Sequence, residues 1–215
     1  MRRGLVDEVF VTEAAADRFR DLLTDAPVHL VTERAAKALS DTVTPVGLVA
    51  VCRMPEVTLA SVLAAPRLVA VAVDTADPGN AGTLIRLADA LGADALILAG
   101  DSVDPYNAKC LRASAGSIFS VPVVDAPDTL ALISELVYAE LVVMAATLDG
   151  ETSLDDVNLD VPTAWLFGSE AHGLPVEVAE AADVRVRIPM AGGAESLNVA
   201  AAAAICLYQS ARATR

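Results

Sequence analysis

The sequence is poor in aromatic and positively charged residues. Aromatic residues make up 4% of its 215 residues, so few side chains are available to stack on unpaired bases. The 15 lysines and arginines are outnumbered by 29 aspartates and glutamates, which gives a formal net charge of −14. Since lysine and arginine attract a phosphate backbone, the molecule as a whole is not predicted to be drawn toward nucleic acid. Binding of nucleic acid would have to depend on a local basic patch.

Cysteine and histidine are also scarce. The three cysteines, Cys52, Cys110 and Cys206, are far apart, which argues against a disulfide framework and for a reducing compartment. The two histidines, His29 and His172, belong to no Cys/His/Asp cluster, so no metal site is expected. We find no signal peptide, no lipid-attachment motif and no uninterrupted apolar run of membrane length. These absences predict a cytoplasmic protein that binds neither a metal nor a membrane.

Apolar residues, by contrast, make up 54% of the chain, enough for a sizeable core. From residue 67 onward, short apolar strands alternate with helices. The predicted strands are 68–74, 95–98, 118–124, 141–146, 164–167 and 184–188, and the predicted helices include 83–91, 105–115 and 128–138. Alternation of this kind is typical of an α/β fold with a parallel sheet covered by helices on both faces.

The first part of the chain has a different organisation. Residues 1–53 alternate shorter strands and helices, as in a small α/β domain. Such a domain normally begins with a further strand and helix, so we expect this one to be truncated at its start. Residues 54–66 carry Pro55 and Pro66 and little charge, which predicts a linker. The main domain is expected to span residues 67–215.

Two glycine-rich loops follow predicted strands near the C-terminus. The first is Gly168–Gly173, after strand 164–167, and the second is Pro189–Gly193, after strand 184–188. An alanine-rich helix follows, with Ser196 predicted as its N-cap. The two loops favour a concave floor of backbone groups that suits a flat heterocycle with polar groups. The alternative is a pair of ordinary strand–helix turns.

A third loop carries further polar groups. Residues 77–82 lie between a strand and a helix, where open α/β sheets bind ligands, but they match neither a P-loop nor a dinucleotide fingerprint. Asn80 in this loop can offer an amide to a sugar or phosphate. Arg86, in the apolar helix that follows, needs a partner if it is buried and otherwise extends to solvent.

The C-terminal loops add a carboxylate, a hydroxyl and an amide. Glu170 is the only carboxylate in the loop Gly168–Gly173, where it either faces a ligand or is simply solvated. Ser196 and Asn198 lie at the start of the last helix, where the helix dipole favours an anion, although capping alone would explain them. No Ser–His–Asp set, nucleophilic cysteine or pair of carboxylates stands out. The pattern therefore favours a reaction that depends on positioning.

Three segments together resemble a known family. Asp77–Arg86, Leu166–Leu174 and Ile188–Val199 are similar to the first, second and third motifs of the SpoU/TrmH-type RNA ribose 2′-O-methyltransferases of the SPOUT superfamily. The resemblance implies a C-terminal trefoil knot, S-adenosyl-L-methionine as cofactor and a homodimer formed through the knotted domain. It also implies that residues 1–53 are a ribosomal-protein-like RNA-binding domain.

The resemblance further implies a set of site residues. Arg86 is the catalytic residue to which the first motif points, and because a guanidinium stays protonated we interpret it as a clamp on phosphate and developing alkoxide. The residues implied to orient Arg86 or the ribose are Asn80, Glu170, Ser196 and Asn198. The residues implied to bind the cofactor are Thr147, Leu148, Gly150, Gly168, Ser169, Glu170, Gly173, Ile188, Pro189, Met190, Ser196 and Leu197.

The function implied is transfer of a methyl group to a ribose 2′-OH of ribosomal or transfer RNA. The candidates for a local basic surface are Arg2, Arg3, Arg18, Arg20, Arg34, Lys109 and Arg112. One alternative is a non-catalytic RNA-binding or assembly protein on the same fold. The other is a nucleotide-dependent oxidoreductase, against which the absence of Gly-x-Gly-x-x-Gly argues.

Overall fold

The computed structural model describes residues 4–23 and 27–213. The chain divides between Glu56 and Val57 into two compact units. This division falls inside the segment 54–66 that the sequence suggests as a linker. Arg2 and Arg3, two of the candidates for a basic surface, lie outside the described residues.

The first unit is a three-stranded sheet with short helices. Its elements are β1 (Val6–Val11), α1 (Glu13–Arg18), β2 (Val28–Leu30), α2 (Glu33–Ala38) and β3 (Leu48–Cys52). The sheet has the order β2-β1-β3, with β2 parallel and β3 antiparallel to β1. Thr12 caps α1 by accepting the backbone N–H of Ala15. Val9 and Val11 of β1 pack against Ala15 to form a small core.

The second unit is built on a seven-stranded sheet. Its strands are β4 (Leu68–Val73), β5 (Ala95–Ala99), β6 (Val123–Ala126), β7 (Val142–Ala146), β8 (Thr152–Ser153), β9 (Thr163–Phe167) and β10 (Val184–Arg187). Its helices are α3 (Leu59–Val62), α4 (Pro78–Leu91), α5 (Ala108–Ala113), α6 (Thr129–Tyr138), α7 (Val176–Glu180) and α8 (Val199–Ala213). The strand order is β6-β5-β4-β9-β7-β10-β8, and every strand pair is parallel. The predicted α/β fold with a parallel sheet is confirmed.

Helices cover both faces of this sheet, because successive side chains of a buried strand point to opposite faces. Leu68, Ala70 and Ala72 of β4 belong to a core cluster shared with α4, α5 and α8. The alternate residues of the same strand point to the other face and belong to a second cluster shared with α6 and α7. These residues are Val69, Val71 and Val73. Each buried aliphatic side chain of this size contributes roughly 1.5–3 kcal/mol, so the two clusters hold the helices onto the sheet.

The last helix is fixed to the sheet by a polar contact as well as by packing. Trp165 of β9 is fully buried, and its Nε1 donates a hydrogen bond to Ser210 Oγ of α8 at 2.9 Å. A buried indole N–H needs such a partner, because leaving it unpaired would cost free energy. This contact lies on the same face as α4, so α4 and α8 are neighbours above β9 and β4.

Helix α4 begins at Pro78 rather than at Thr83, the predicted start. Asp77 accepts the N–H of Asn80 at 2.9 Å, and Pro78 occupies the first turn, where its missing N–H is not needed. Gly82 allows α5 to cross closely, since a Cβ there would lie 2.4 Å from the carbonyl oxygen of Cys110. The predicted loop 77–82 is therefore mostly the first turn of a helix.

Two predicted elements between β5 and β6 differ from the structure. The predicted strand 118–124 is wrong, because Ser117–Phe119 form a 3₁₀ turn and the strand covers only Val123–Ala126. Ile118 in that turn is buried in the core, and a short apolar run does not distinguish a strand from a buried turn. The predicted helix 105–115 is shorter, at Ala108–Ala113.

The predicted N-cap of the last helix is also wrong. Helix α8 begins at Val199, and Asn198 Oδ1 accepts the N–H of Ala200 at 2.9 Å. Ser196 lies two residues before that cap and is exposed. Asparagine and serine are equally good N-caps, so the sequence pattern did not distinguish the two positions.

Several chemical features are not found in the part of the chain that the structure describes. No helix there is long and apolar enough to cross a membrane. Within the same ranges, no group of three or more His, Cys, Asp or Glu side chains is placed to hold a metal ion. The three cysteines are free; Cys110 and Cys206 are buried and Cys52 is half-buried.

Candidate functional site

The loops that follow β7, β9 and β10 meet at one edge of the sheet, because the carboxyl ends of parallel strands lie on the same side. Together with the start of α8 they enclose a cavity of about 640 Å³. The cavity is lined by Ala146, Thr147, Leu148, Asp149, Phe167, Gly168, Ser169, Glu170, Ala171, His172, Gly173, Leu174, Val176, Ala179, Arg185, Val186, Ile188, Met190, Ser196, Leu197, Val199 and Ala202. A volume of this size accommodates a nucleoside-sized ligand.

The loop after β9 requires a glycine at its first position. A Cβ on Gly168 would lie 2.1–2.3 Å from backbone atoms of Gly173 and Leu174, so no other residue fits there. Gly173 has φ +68°, a left-handed conformation that favours glycine. Ser169 and Gly173 exchange two backbone hydrogen bonds, of 2.8 and 3.1 Å, which close the loop. The glycines thus bring backbone groups to the cavity wall.

One side chain of the wall carries an unsatisfied polar atom. The hydroxyl oxygen of Thr147 is buried and has no hydrogen-bond partner among residues 4–23 and 27–213. The backbone N–H of Thr147 is bonded to Val186 O at 3.0 Å, which fixes the residue at the end of β7. A buried hydroxyl without a partner is costly, so a ligand atom that pairs with it would be favoured.

Beside the cavity, three polar side chains form a chain of hydrogen bonds. Asn80 Nδ2 of α4 donates to Glu170 Oε1 in the loop after β9. Asn198 Nδ2 lies 3.4 Å from Asn80 Oδ1, at the long limit of a hydrogen bond. Asn198 also caps α8 through its Oδ1. These contacts join segments that are 90 and 118 residues apart in the chain.

Arg86 lies on the same helix as Asn80 but is not part of this network. It is exposed and makes no hydrogen bond or ion pair with the described residues. Its neighbours Leu84 and Ile85 are fully buried in the core shared with α8. Arg86 therefore extends to solvent from a helix whose first turn contacts the cavity through Asn80 and Glu170.

Arg185 and Asp149, which carry charges of opposite sign, line the cavity. The Arg185 guanidinium hydrogen-bonds both carboxylate oxygens of Glu151, and its Nη1 lies 3.7 Å from Asp149 Oδ2. The hydrogen bond from Arg185 lowers the pKa of Glu151. Likewise, the hydrogen bond from Lys109, 2.8 Å away, lowers the pKa of Asp77, the cap of α4. Both carboxylates are therefore ionised at neutral pH.

The structure brings most of the predicted site residues together. All of the residues predicted to bind the cofactor line the cavity except Gly150 and Pro189. Of those predicted to be catalytic, Glu170 and Ser196 lie in the wall, and Asn80 and Asn198 connect to Glu170. Arg86 stands apart, about two helical turns beyond Asn80 on α4.

Several lining residues had no place in the predicted site. His172 lies in the loop Gly168–Gly173, and Val176 belongs to the short helix α7. Asp149 lies between two residues implied to bind the cofactor, so the loop that contains it was predicted. Arg185 is a charged residue within a predicted buried strand, and that inconsistency could have marked it.

Comparisons with known proteins agree with this geometry. Residues 67–208 match the model of the SpoU rRNA Methylase family. The 23S rRNA (guanosine(2553)-2′-O)-methyltransferase RlmP of Bacillus subtilis is 36% identical over 205 residues, which cover 95% of this chain and 80% of that protein. The 23S rRNA (uridine(2479)-2′-O)-methyltransferase of Streptomyces viridochromogenes is 40% identical over 141 residues, which cover 63% of this chain and about half, 49%, of that protein.

A solved structure extends the similarity to three dimensions. The SpoU methyltransferase AviRb from Streptomyces viridochromogenes, in complex with the cofactor AdoMet, superimposes with a TM-score of 0.86 at 30% identity. The match covers 97% of this chain and 83% of that one. The family model covers well over half of the 215 residues, and the similarity to RlmP spans nearly all of them. This chain belongs to the SpoU rRNA methylase family.

Proposed function

We propose that this protein transfers a methyl group from S-adenosyl-L-methionine to a ribose 2′-OH of ribosomal RNA. The observation that carries the proposal is the cavity at the carboxyl edge of the sheet, with the Asn80–Glu170 contact beside it. Relatives that match over most of this chain are named for 2′-O-methylation of 23S rRNA, which favours ribosomal over transfer RNA as the substrate. An assembly protein would need neither the cavity nor the polar network.

The cavity suits the cofactor in volume and chemistry. Thr147 Oγ1 is an unpaired acceptor or donor in the wall, and the backbone groups around Gly168 can meet the polar edge of a purine. Apolar contacts for the ring are available from Leu148, Met190 and Leu197, all of which are partly exposed in the wall. When bound, the cofactor supplies an electrophilic methyl group on a cationic sulfonium.

The residues of this chain have separate roles in the transfer. Glu170 and Asn80 orient the ribose through their hydrogen bond, and Asn198 holds Asn80 from the start of α8. Arg86 keeps its positive charge at any ordinary pH, so it acts as a clamp on a phosphate and on the developing alkoxide. The proton of the 2′-OH passes to a neighbouring phosphate or water. Ser196, in the wall of the cavity, contributes a hydroxyl to the same positioning.

A trefoil knot is part of the proposed fold of residues 67–215. Strand β10 lies between β7 and β8, although the chain connects β7 to β8 directly through residues 147–151. That connection must cross over β10, and Gly150 allows it to do so at close range. A Cβ on Gly150 would lie 2.6–2.8 Å from backbone atoms of residues 185–187. A later strand held inside an earlier loop is the element from which a knot is made.

We further propose a homodimer formed through this knotted unit. Helix α8 exposes Ile205 and Tyr208, with 37% and 51% of their surface accessible. Arg212 lies over the ring of Tyr208, 5.9 Å from its centroid, so the aromatic face is flanked by a fixed positive charge. An apolar helix face with a polar rim is the usual composition of a subunit interface.

The RNA contacts are proposed to lie partly in residues 1–53, as a ribosomal-protein-like domain, with residues 54–66 as the linker. Several of the candidate cations are already engaged within the chain. Arg20 pairs with Asp17 at 2.7 Å, Lys109 pairs with Asp77, and the Arg18 guanidinium lies 4.9 Å from the centroid of the Phe19 ring. Because the proposed substrate is ribosomal RNA, which is found in the cytoplasm, we propose that the protein is cytoplasmic as well.

The decisive variant is Arg86→Ala. Because Arg86 is exposed and makes no hydrogen bond or ion pair with the described residues, we expect its removal to leave the fold and the cofactor cavity unchanged. We expect methyl transfer to ribosomal RNA to fall by at least about 100-fold, as for loss of a charged group that stabilises a transition state. Binding of S-adenosyl-L-methionine, measured by calorimetry, should be unchanged. Loss of cofactor binding together with activity would contradict the clamp role.

A further inference from the structure

The segment of residues 147–151, here called the crossing loop, connects β7 to β8 across the end of β10. The backbone N–H of Thr147 donates to Val186 O at 3.0 Å where the loop begins. After the loop, the N–H of Leu154 donates to Arg187 O at 2.9 Å. Residues 147–151 are not part of any sheet, although β8 pairs with β10 directly after them, so the position of the loop also depends on side-chain contacts.

Arg187 of β10 supplies the strongest of those contacts. Its Nη1 donates to the carbonyl oxygens of Gly150 and Glu151, both at 2.8 Å. Hydrogen bonds from a charged donor are stronger than those between neutral groups, and one guanidinium nitrogen here holds two consecutive carbonyls. The close passage of Gly150 over residues 185–187 lets the side chain reach both.

A second arginine on the same strand holds the loop from its outer side. Arg185 Nε lies 3.1 Å from each carboxylate oxygen of Glu151. The Glu151 side chain is 64% exposed, and ion pairs in solvent contribute little. The backbone carbonyls held by Arg187 are therefore the main attachment of the loop, and the Arg185 pair is an addition to it.

The crossing loop is also a wall of the cavity. Thr147, Leu148 and Asp149 line it, whereas Arg187 does not. A displacement of the loop would move the unsatisfied Thr147 hydroxyl and the Leu148 side chain away from a bound ligand. We propose that Arg187 is a positioning residue for the cofactor: it holds the crossing loop on β10 and thereby sets the wall against which the cofactor binds. This inference rests on the proposed function of the cavity.

Hydrogen exchange without cofactor tests the first half of the proposal. We expect amides of residues 147–153 to exchange about tenfold faster in Arg187→Met, which keeps the aliphatic length but loses both hydrogen bonds. Arg187→Lys, which keeps a charged donor on a shorter side chain, should give an intermediate rate. The matched control is Arg67→Met, an exposed arginine whose side chain makes no hydrogen bond with the described residues. Equal exchange in Arg187→Met and the wild type would overturn the proposal.

Cofactor binding tests the second half. S-adenosyl-L-methionine should bind about tenfold more weakly to Arg187→Met and regain part of the affinity in Arg187→Lys, with Arg67→Met unchanged. Faster exchange with unaltered affinity would also overturn the proposal, because the loop would then not position the ligand. Absence of binding to the wild type would instead refute the proposed function, and hydrogen exchange would still decide whether Arg187 holds the loop. If Arg187→Met does not fold, the comparison of Arg187→Lys with the wild type decides both points.

Discussion

Two buried hydroxyls in the second unit lack a hydrogen-bond partner among the residues described, and their locations differ. Thr147 Oγ1 lies at the cavity, whereas Thr75 is fully buried just after β4. Each unsatisfied hydroxyl costs about 1–3 kcal/mol of folding free energy. For Thr147 a ligand can offset this cost. The unpaired hydroxyl therefore lowers the stability of the free protein and can strengthen ligand binding.

Replacing each threonine by valine separates the two cases. Thr147→Val removes the unpaired hydroxyl without adding volume, so the free energy of unfolding should not fall, while S-adenosyl-L-methionine binds about tenfold more weakly. Thr75→Val is the matched control, with similar or higher stability and unchanged affinity. Denaturant unfolding and calorimetry measure the two quantities. Unchanged affinity in Thr147→Val would mean that the cavity does not use this hydroxyl.

The buried thiols predict a loss of stability at alkaline pH. Burial raises the pKa of Cys110 to about 11 and that of Cys206 to about 12, above the ordinary value of 9.0. In the unfolded chain these thiols ionise near pH 9 while in the folded protein they stay protonated, so stability is complete below pH 9 and declines above it. The slope is about 1.4 kcal/mol per pH unit for each thiol. In Cys206→Val, urea unfolding between pH 9 and 11 should show a shallower slope; an unaltered slope would contradict this assignment.

At the scale of elements, the start of α8 has two tasks. Asn198 caps the helix through its Oδ1 and approaches Asn80 through its Nδ2. Serine at this position keeps an acceptor for the cap but cannot reach Asn80 with an amide. The two tasks can therefore be separated by substitution.

We expect Asn198→Ala to lower the unfolding free energy by about 1 kcal/mol, whereas Asn198→Ser keeps the stability near that of the wild type. Both variants should lose methyl transfer activity, because both lose the amide that holds Asn80. Ser196→Ala is the control for capping and should leave stability unchanged. Denaturant unfolding measures the first effect and labelled methyl incorporation the second. A loss of stability in Ser196→Ala equal to that in Asn198→Ala would contradict the assigned cap.

The elements also show what the sequence pattern can predict. Long apolar strands such as β4 and β9 were found because they are bounded by glycine, proline or charge. Two short elements were not predicted, the two-residue strand β8 and the turn around Ile118, because a short segment carries no periodicity. Helix α4 was shortened because Pro78 and Gly79 look like loop residues, although proline in a first turn is favourable.

On the scale of the whole molecule, composition and motifs gave opposite indications. A net charge of −14 argues against RNA binding, whereas the three motif segments resemble an RNA methyltransferase family, and the membership is confirmed. The contact between Asn80 and Glu170 joins residues 90 positions apart. No spacing rule predicts such a contact; only the parallel sheet, which gathers strand ends at one edge, makes it expected.

The central claim is that the cavity holds a methyl donor beside a ribose. The most direct measurement uses ribosomal RNA from cells that lack this protein, incubated with the purified protein and S-adenosyl-L-methionine labelled in its methyl group. After digestion to nucleosides, the label should appear in a 2′-O-methylribonucleoside with wild-type protein and be reduced by at least about 100-fold with Arg86→Ala. Label in a base, or no label in RNA although the cofactor binds, would contradict the account.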